Sequence, residues 1–320
     1  MMITSFKLRN GKHPQKKKIL GTKLMKKIMS FGLAAAFIAV SIMSAQAMVR
    51  YEDKYPKKIR EVRITGFIDY APFGYTQHPD SKMRGKFFSV YQPMIDTFQK
   101  ENNLKIIYNL KKNDYEDLVA AVRSGDIDMI LGMYHETELY KGLEAVYPSI
   151  MSNPITVFML PNRINEVQKT EDLKKLKGVG ITKEHYSDYV AEQIKQYNLE
   201  MVDTPYELFE RLFTKKADYI MVSQYYGLVE AIKLGLREQI SIAKQTLWKM
   251  PLFIGVSKIS PQRKLITQKL TRFSEDPKKQ QLIEDYLKQM IADFEKEYNG
   301  VVPPTFGLEK DALQKNDEQK

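Results

Sequence analysis

Four short stretches of the chain carry most of the side chains that could meet a small molecule. Tyr70 and Phe73 stand in the first, with Tyr75 just after them. Tyr134, His135 and Tyr140 stand in the second, His185 and Tyr186 in the third, and Ser223, Gln224 and Tyr225 in the fourth. Tyrosines present flat apolar faces and a hydroxyl that fixes orientation. Brought together they suit an aromatic, heterocyclic or cationic solute, the last through cation–π contact of about 0.5–2 kcal/mol. The alternative for each tyrosine is half-buried packing, and for the two histidines an ordinary polar loop position. Arg84 and Lys86, beside the first stretch, could hold an anion or be solvated surface groups.

Other chemistries find less support. There is no cysteine, which excludes disulfides, thiolate metal sites, a cysteine nucleophile and lipid attachment at a leader cysteine. After residue 47 the histidines are His78, His135 and His185, without metal-ligand spacing. No G-x-S-x-G elbow, H-E-x-x-H or phosphate loop occurs, and no cofactor is implied. Glu136, Glu138 and His135 are the candidates for acid–base work.

Each candidate stretch follows a segment that reads as a strand. Residues 59–68 alternate apolar and charged residues. A helix is expected over 87–102, a strand over 104–110, a helix over 115–124 capped by Asp114 and ended by Gly125, and a buried strand over 127–131. The pattern recurs: strand 177–182, helix 186–197, strand 199–202, helix 205–213, strand 218–222. The segment from Asp117 resembles the one from Glu207, each giving a helix, a polar turn, an acidic residue and an apolar strand. This order predicts two α/β units with mainly parallel sheets. Residues 154–160 and 252–257 are extended and can cross between them. Helices over 261–273, with Ser260 as cap, and 277–298 then return to the first unit, which makes it discontinuous. The expected division is 59–160 with 250–300, and 161–249. The polar stretch 301–320 is expected to be disordered.

The start of the chain has the layout of a cleaved secretory signal. Met25-Lys26-Lys27 is basic, Phe31 to Met43 is apolar, and Ala45-Gln46-Ala47 offers the small residues of a cleavage site. Residues 1–24 read as an unused upstream start, and 48–58 as a polar leader. The apolar run is short for a membrane span, which needs about 20 residues; an uncleaved anchor is the alternative. The first 47 residues hold nine of the 50 Lys and Arg and none of the 39 acidic residues. The formal charge of +11 therefore falls to +2 once they are removed, and gives no warrant for a nucleic-acid partner.

In sequence, residues 59–298 resemble the amino-acid-type, family-three extracellular solute-binding proteins with the type II periplasmic-binding fold. Asp69-Tyr70-Ala71-Pro72-Phe73, residues 117–128 (DLVAAVRSGDID), residues 172–181 (DLKKLKGVGI) and Gly255-Val256-Ser257-Lys258 carry the resemblance. It implies two lobes on a two-stranded hinge, closing on a solute for an ABC-type importer in the inner membrane. It further implies a periplasmic monomer that is not an enzyme. A sensor presenting its ligand to a receptor is the alternative, and a cyclohexadienyl-dehydratase-like enzyme the second. Relatives that bind amino acids place an arginine in a Thr-x-x-Arg pattern to hold the α-carboxylate; here Thr137-Glu138-Leu139-Tyr140 puts tyrosine there. Ser223 stands where an ammonium-binding aspartate is usual. Both charge clamps of an α-amino acid are thus missing.

Overall fold

The computed structural model describes residues 59–76, 87–109, 115–134, 138–182, 184, 186–197, 199–244 and 246–306. The chain divides between Ile59 and Arg60, and the elements below all belong to the unit that begins at Arg60. The leader features, Asp114, His135, His185, Arg84 and Lys86 lie outside the described residues.

The strands are β1 (Arg60–Thr65), β2 (Asp69–Tyr70), β3 (Gly74–Thr76), β4 (Phe87–Phe88), β5 (Leu104–Tyr108), β6 (Met129–Met133) and β7 (Leu143–Ala145). They continue with β8 (Met151–Met159), β9 (Gly178–Ile181), β10 (Glu200–Val202), β11 (Tyr219–Ser223), β12 (Ser241–Ile242) and β13 (Trp248–Ser257). The helices are α1 (Gln92–Asn102), α2 (Tyr115–Arg123), α3 (Asp188–Ile194), α4 (Pro205–Phe213), α5 (Gln224–Lys233), α6 (Arg263–Ser274) and α7 (Pro277–Glu297).

Two parallel trios result. β1 lies between β5 and β6, with Val62 opposite Ile106 and Ile64 opposite Met129. β9 lies between β10 and β11. The long strands β8 and β13 join the trios into one sheet path, β10-β9-β11-β8-β13-β6-β1-β5. They run antiparallel to each other from Trp248 opposite Ile155 to Leu252 opposite Met151. Beyond that stretch β13 pairs with β6, and β8 with β11. A small antiparallel sheet, β2-β3-β4, folds off the end of β1.

Period-two alternation sets the core. On β11, Tyr219 and Met221 belong to the apolar cluster that includes Ile64, Met94, Val119 and Ile130. Ile220 and Val222 belong to a second cluster, with Phe158, Phe209 and Val229. Each fully buried large aliphatic side chain contributes about 1.5–3 kcal/mol relative to exposure.

Several boundaries differ from the sequence reading. The helix expected from Phe87 starts at Gln92, because Phe87 and Phe88 pair with Thr76 and Tyr75, and Pro93 belongs in a first turn. The helix expected from Pro261 starts at Arg263; Ser260 still accepts from the Gln262 N–H at 3.0 Å. α5 was not expected at all: Gln224 and Tyr225 read as loop but form its first turn. Its Gly227 discourages a helical reading. Yet a Cβ there would lie 2.7 Å from the Phe158 ring and 2.8 Å from Val222, so glycine is what lets α5 sit against the sheet. Gly125 does end α2, with φ +82°. The polar tail read from residue 301 is ordered at its start, since Phe306 is buried and stacks on Phe213 of α4 at 5.2 Å.

The resemblance between the segments from Asp117 and Glu207 has a structural counterpart. Asp128, before β6, takes the Arg63 N–H at 2.8 Å, both ends of the Arg63 guanidinium at 3.1 Å and the Ser260 hydroxyl at 2.6 Å. Asp218, before β11, takes the Lys177 N–H at 2.7 Å and the Arg163 guanidinium at 2.5 Å. In both halves an aspartate fastens the start of one strand to its parallel neighbour.

Candidate functional site

The strand ends of both trios open onto one cleft of about 770 Å³. The chain leaving β1 supplies Gly66, Phe67, Ile68, Asp69 and Tyr70; the start of α2 supplies Tyr115, Glu116 and Leu118. Across from them stand Ile181 at the end of β9, Thr182 and Glu184 after it, and Asp203, Thr204 and Pro205 after β10. α5 closes the side with Tyr226, Glu230 and Lys233. Position beyond the C-terminal ends of parallel strands is where open α/β sheets bind ligands.

Aromatic rings form one wall. Tyr70 stacks on Tyr226 with centroids 4.7 Å apart and planes 8° apart. Phe67 stacks on Tyr115 at 4.0 Å. Beneath them lies a buried polar chain. Tyr70 donates its hydroxyl to Glu184 Oε1. Asn153 Nδ2 donates to the Tyr134 hydroxyl at 3.0 Å and, at 3.5 Å, to that of Tyr70. Ser223 Oγ donates to Asn153 Oδ1.

Glu184 is the unusual member. It is 7% exposed, and its Oε2 has no hydrogen-bond partner among the described residues. Loss of solvent raises its pKa to about 7, against the pull of the Tyr70 hydroxyl and the Ser223 backbone N–H. Burial, reinforced by the Glu184 charge, pushes the Tyr70, Tyr134 and Tyr186 hydroxyls well above the ordinary tyrosine range. All three are therefore neutral, and of them Tyr70 donates to Glu184.

The expected site residues divide. Tyr70 lines the cleft, and Tyr134, Tyr186 and Ser223 surround Glu184 behind it. Phe73 is buried beneath Tyr70, its ring 5.5 Å away, and Tyr225 meets the edge of Phe73 at 6.2 Å, so both support the wall rather than form it. Tyr75 does not reach the cleft: the turn after Tyr70 pairs it with Asp69 on the small sheet and turns it onto Phe294 of α7 at 5.2 Å. Tyr140 is 4% exposed and packs edge-on against Tyr115 at 6.1 Å, behind the ring that lines the cleft. Lys141, next to it, is exposed and pairs with Glu138 at 3.2 Å, and Glu138 is not among the described residues that line the cleft.

Glu184, Asn153, Tyr115 and Tyr226 were missed. Asn153 is the one amide side chain of β8 and is fully buried, which forces it to find partners. Tyr226 is recoverable from the helical spacing of Tyr226, Val229 and Ile232. Glu184 carried no comparable signal.

No family model matches the chain. A probable histidine-binding protein of Neisseria gonorrhoeae is 25% identical over 172 residues, which is 53% of this chain and 60% of that protein's length. Solved structures share the fold. A binding component of an ABC transporter from Wolinella succinogenes, complexed with lysine, has a TM-score of 0.57 at 17% identity, covering 72% of this chain and 94% of its own. An amino acid ABC transporter substrate-binding protein from Streptococcus pneumoniae, bound to L-arginine, has a TM-score of 0.55 at 14% identity, with the same coverage. A histidine kinase sensor domain similar to periplasmic binding proteins has a TM-score of 0.53 at 14% identity, covering 77% of this chain and 99% of its own. The fold is thus the mixed α/β fold of the periplasmic binding proteins.

Proposed function

We propose that this chain captures a small organic solute between two lobes and presents it to an ABC-type importer. The observation that carries this reading is the cleft itself. It lies at the strand ends of both trios, and an aromatic wall backs onto a buried polar floor. The fold shared with solute-binding proteins, and the relative named for histidine, support it. In this reading residues 59–160 and 250–300 form one lobe and 161–249 the other, with β8 and β13 as the hinge. Opening would part Tyr70 from Tyr226 and Glu184, and a solute would be held where those contacts close. Residues 1–47 direct export and are removed, and the mature monomer is periplasmic.

The geometry argues for binding rather than catalysis. The side chain at position 140, where a substrate carboxylate would be clamped, is a buried tyrosine, and Glu138 faces solvent. Thermal unfolding of the purified chain against amino acids, amines, aromatic acids and heterocycles tests the reading. A solute that binds only the folded state adds about 2.7 kcal/mol at one hundred times its Kd. A library without effect contradicts it. The same fold in a histidine kinase sensor domain favours a second reading, in which the closed form is read by a receptor. Binding of the loaded chain to transporter-containing vesicles separates the two, since only the importer reading predicts it.

A further inference from the structure

We propose that the solute of this cleft is an organic cation without a carboxylate group, an alkyl diamine or amino-guanidine being the simplest members of the class. This rests on the solute-binding reading and names the chemistry of the same site. Of the described residues lining the cleft, Asp69, Glu116, Glu184, Asp203 and Glu230 carry carboxylates, against one ammonium, that of Lys233. Lys233 is already committed: its Nζ lies 2.6 Å from Glu230 and 5.8 Å from the centre of the Phe294 ring.

Helix N-termini are natural seats for a ligand carboxylate, and two of the three helices that line this cleft, α4 and α2, carry acidic side chains in their first turns. At α4 the Glu207 carboxylate accepts from the Asp203 and Thr204 N–H groups at 3.2 and 3.1 Å, while Thr204 Oγ1 caps Glu207 N. The first turn of α2 carries Glu116 and Asp117. A ligand carboxylate would meet side chains of its own sign at both places. An ammonium meets the opposite. Exposed Asp69, Glu116 and Asp203 draw it to the mouth, and the stacked pair Tyr70–Tyr226 offers ring faces. At depth, Glu184 waits with one oxygen unpartnered among the described residues. A cation reaching Glu184 would supply that partner and offset the charge of its ionised form.

Matched pairs isolate the carboxylate. Calorimetric titration of the purified chain would compare 1,5-diaminopentane with L-lysine, and 1-amino-4-guanidinobutane with L-arginine. The members of each pair differ only in the α-carboxylate. The expected result is that each carboxylate-free member binds at least tenfold more tightly. Glu184→Gln should cost the diamine at least tenfold while the variant keeps its circular dichroism spectrum. Equal or tighter binding of L-lysine or L-arginine overturns the inference and leaves a solute-binding protein, as does preference for a neutral aromatic solute. A chain that binds no member of these pairs or of the wider library overturns both readings. A diamine affinity unchanged in Glu184→Gln removes Glu184 from the site and with it the argument for the cation.

Discussion

The Tyr70 hydroxyl, at the end of the chain leaving β1, donates to the carboxylate of Glu184, 114 residues further on and just beyond β9. That contact joins the two parallel trios at the point where both open onto the cleft. It also leaves one oxygen of a desolvated carboxylate without a partner among the described residues. Asn153 connects the same hydroxyl to Tyr134 and Ser223, so the contact belongs to a chain of neutral polar groups beside one acid.

Glu184 should make the empty protein less stable in base. Its pKa rises from 4.5 to about 7 on folding, so the folded state holds a proton that the unfolded state has released. The resulting stability is complete below about pH 4.5 and disappears as the pH rises through 7. At pH 8.5, Glu184→Gln should be more stable than the parent by on the order of 3 kcal/mol, and at about pH 4 nearly equal. Urea unfolding at the two pH values checks this; the same difference at both would contradict it.

Asp128 is a fastening, not a ligand group. Asp128→Ala leaves the Ser260 hydroxyl and the Arg63 N–H without their acceptor and breaks a pair whose carboxylate side is 2% exposed. A loss of about 3 kcal/mol is expected. Asp218→Ala should cost less, since both partners there are about one quarter exposed. Denaturant midpoints give the comparison, and solute affinity should stay within twofold for Asp128→Ala.

Tyr75 and Tyr226 separate packing from contact with the solute. Tyr75→Ala loses the Phe294 contact and should cost about 1–3 kcal/mol of stability with affinity unchanged. Tyr226→Ala removes the ring stacked on Tyr70 and should weaken binding of a cationic solute at least tenfold. An affinity that falls equally in both would place Tyr75 at the site.

The limits of the sequence reading follow from where each signal resides. α4 is bounded as expected because Thr204, Pro205 and Glu207 are a local start signal. The end of α2 is local too, in Gly125. α5 was invisible because the reason for Gly227 is the ring of Phe158, far away in the chain. Tyr75 lies away from the cleft lining because pairing with Asp69, not proximity to Tyr70, sets its direction. Glu184 and Asn153 were missed because burial of a single polar side chain is decided by partners brought in by the fold, 114 and 70 residues away.

The most direct measurement is thermal unfolding of the parent and Tyr226→Ala side by side, at pH 8, across the solute library. The account predicts that at least one cationic solute at one hundred times its Kd stabilises the parent by about 2.7 kcal/mol, with a clearly smaller shift in the variant. No shift in the parent, or an equal shift in both proteins, would contradict capture in this cleft.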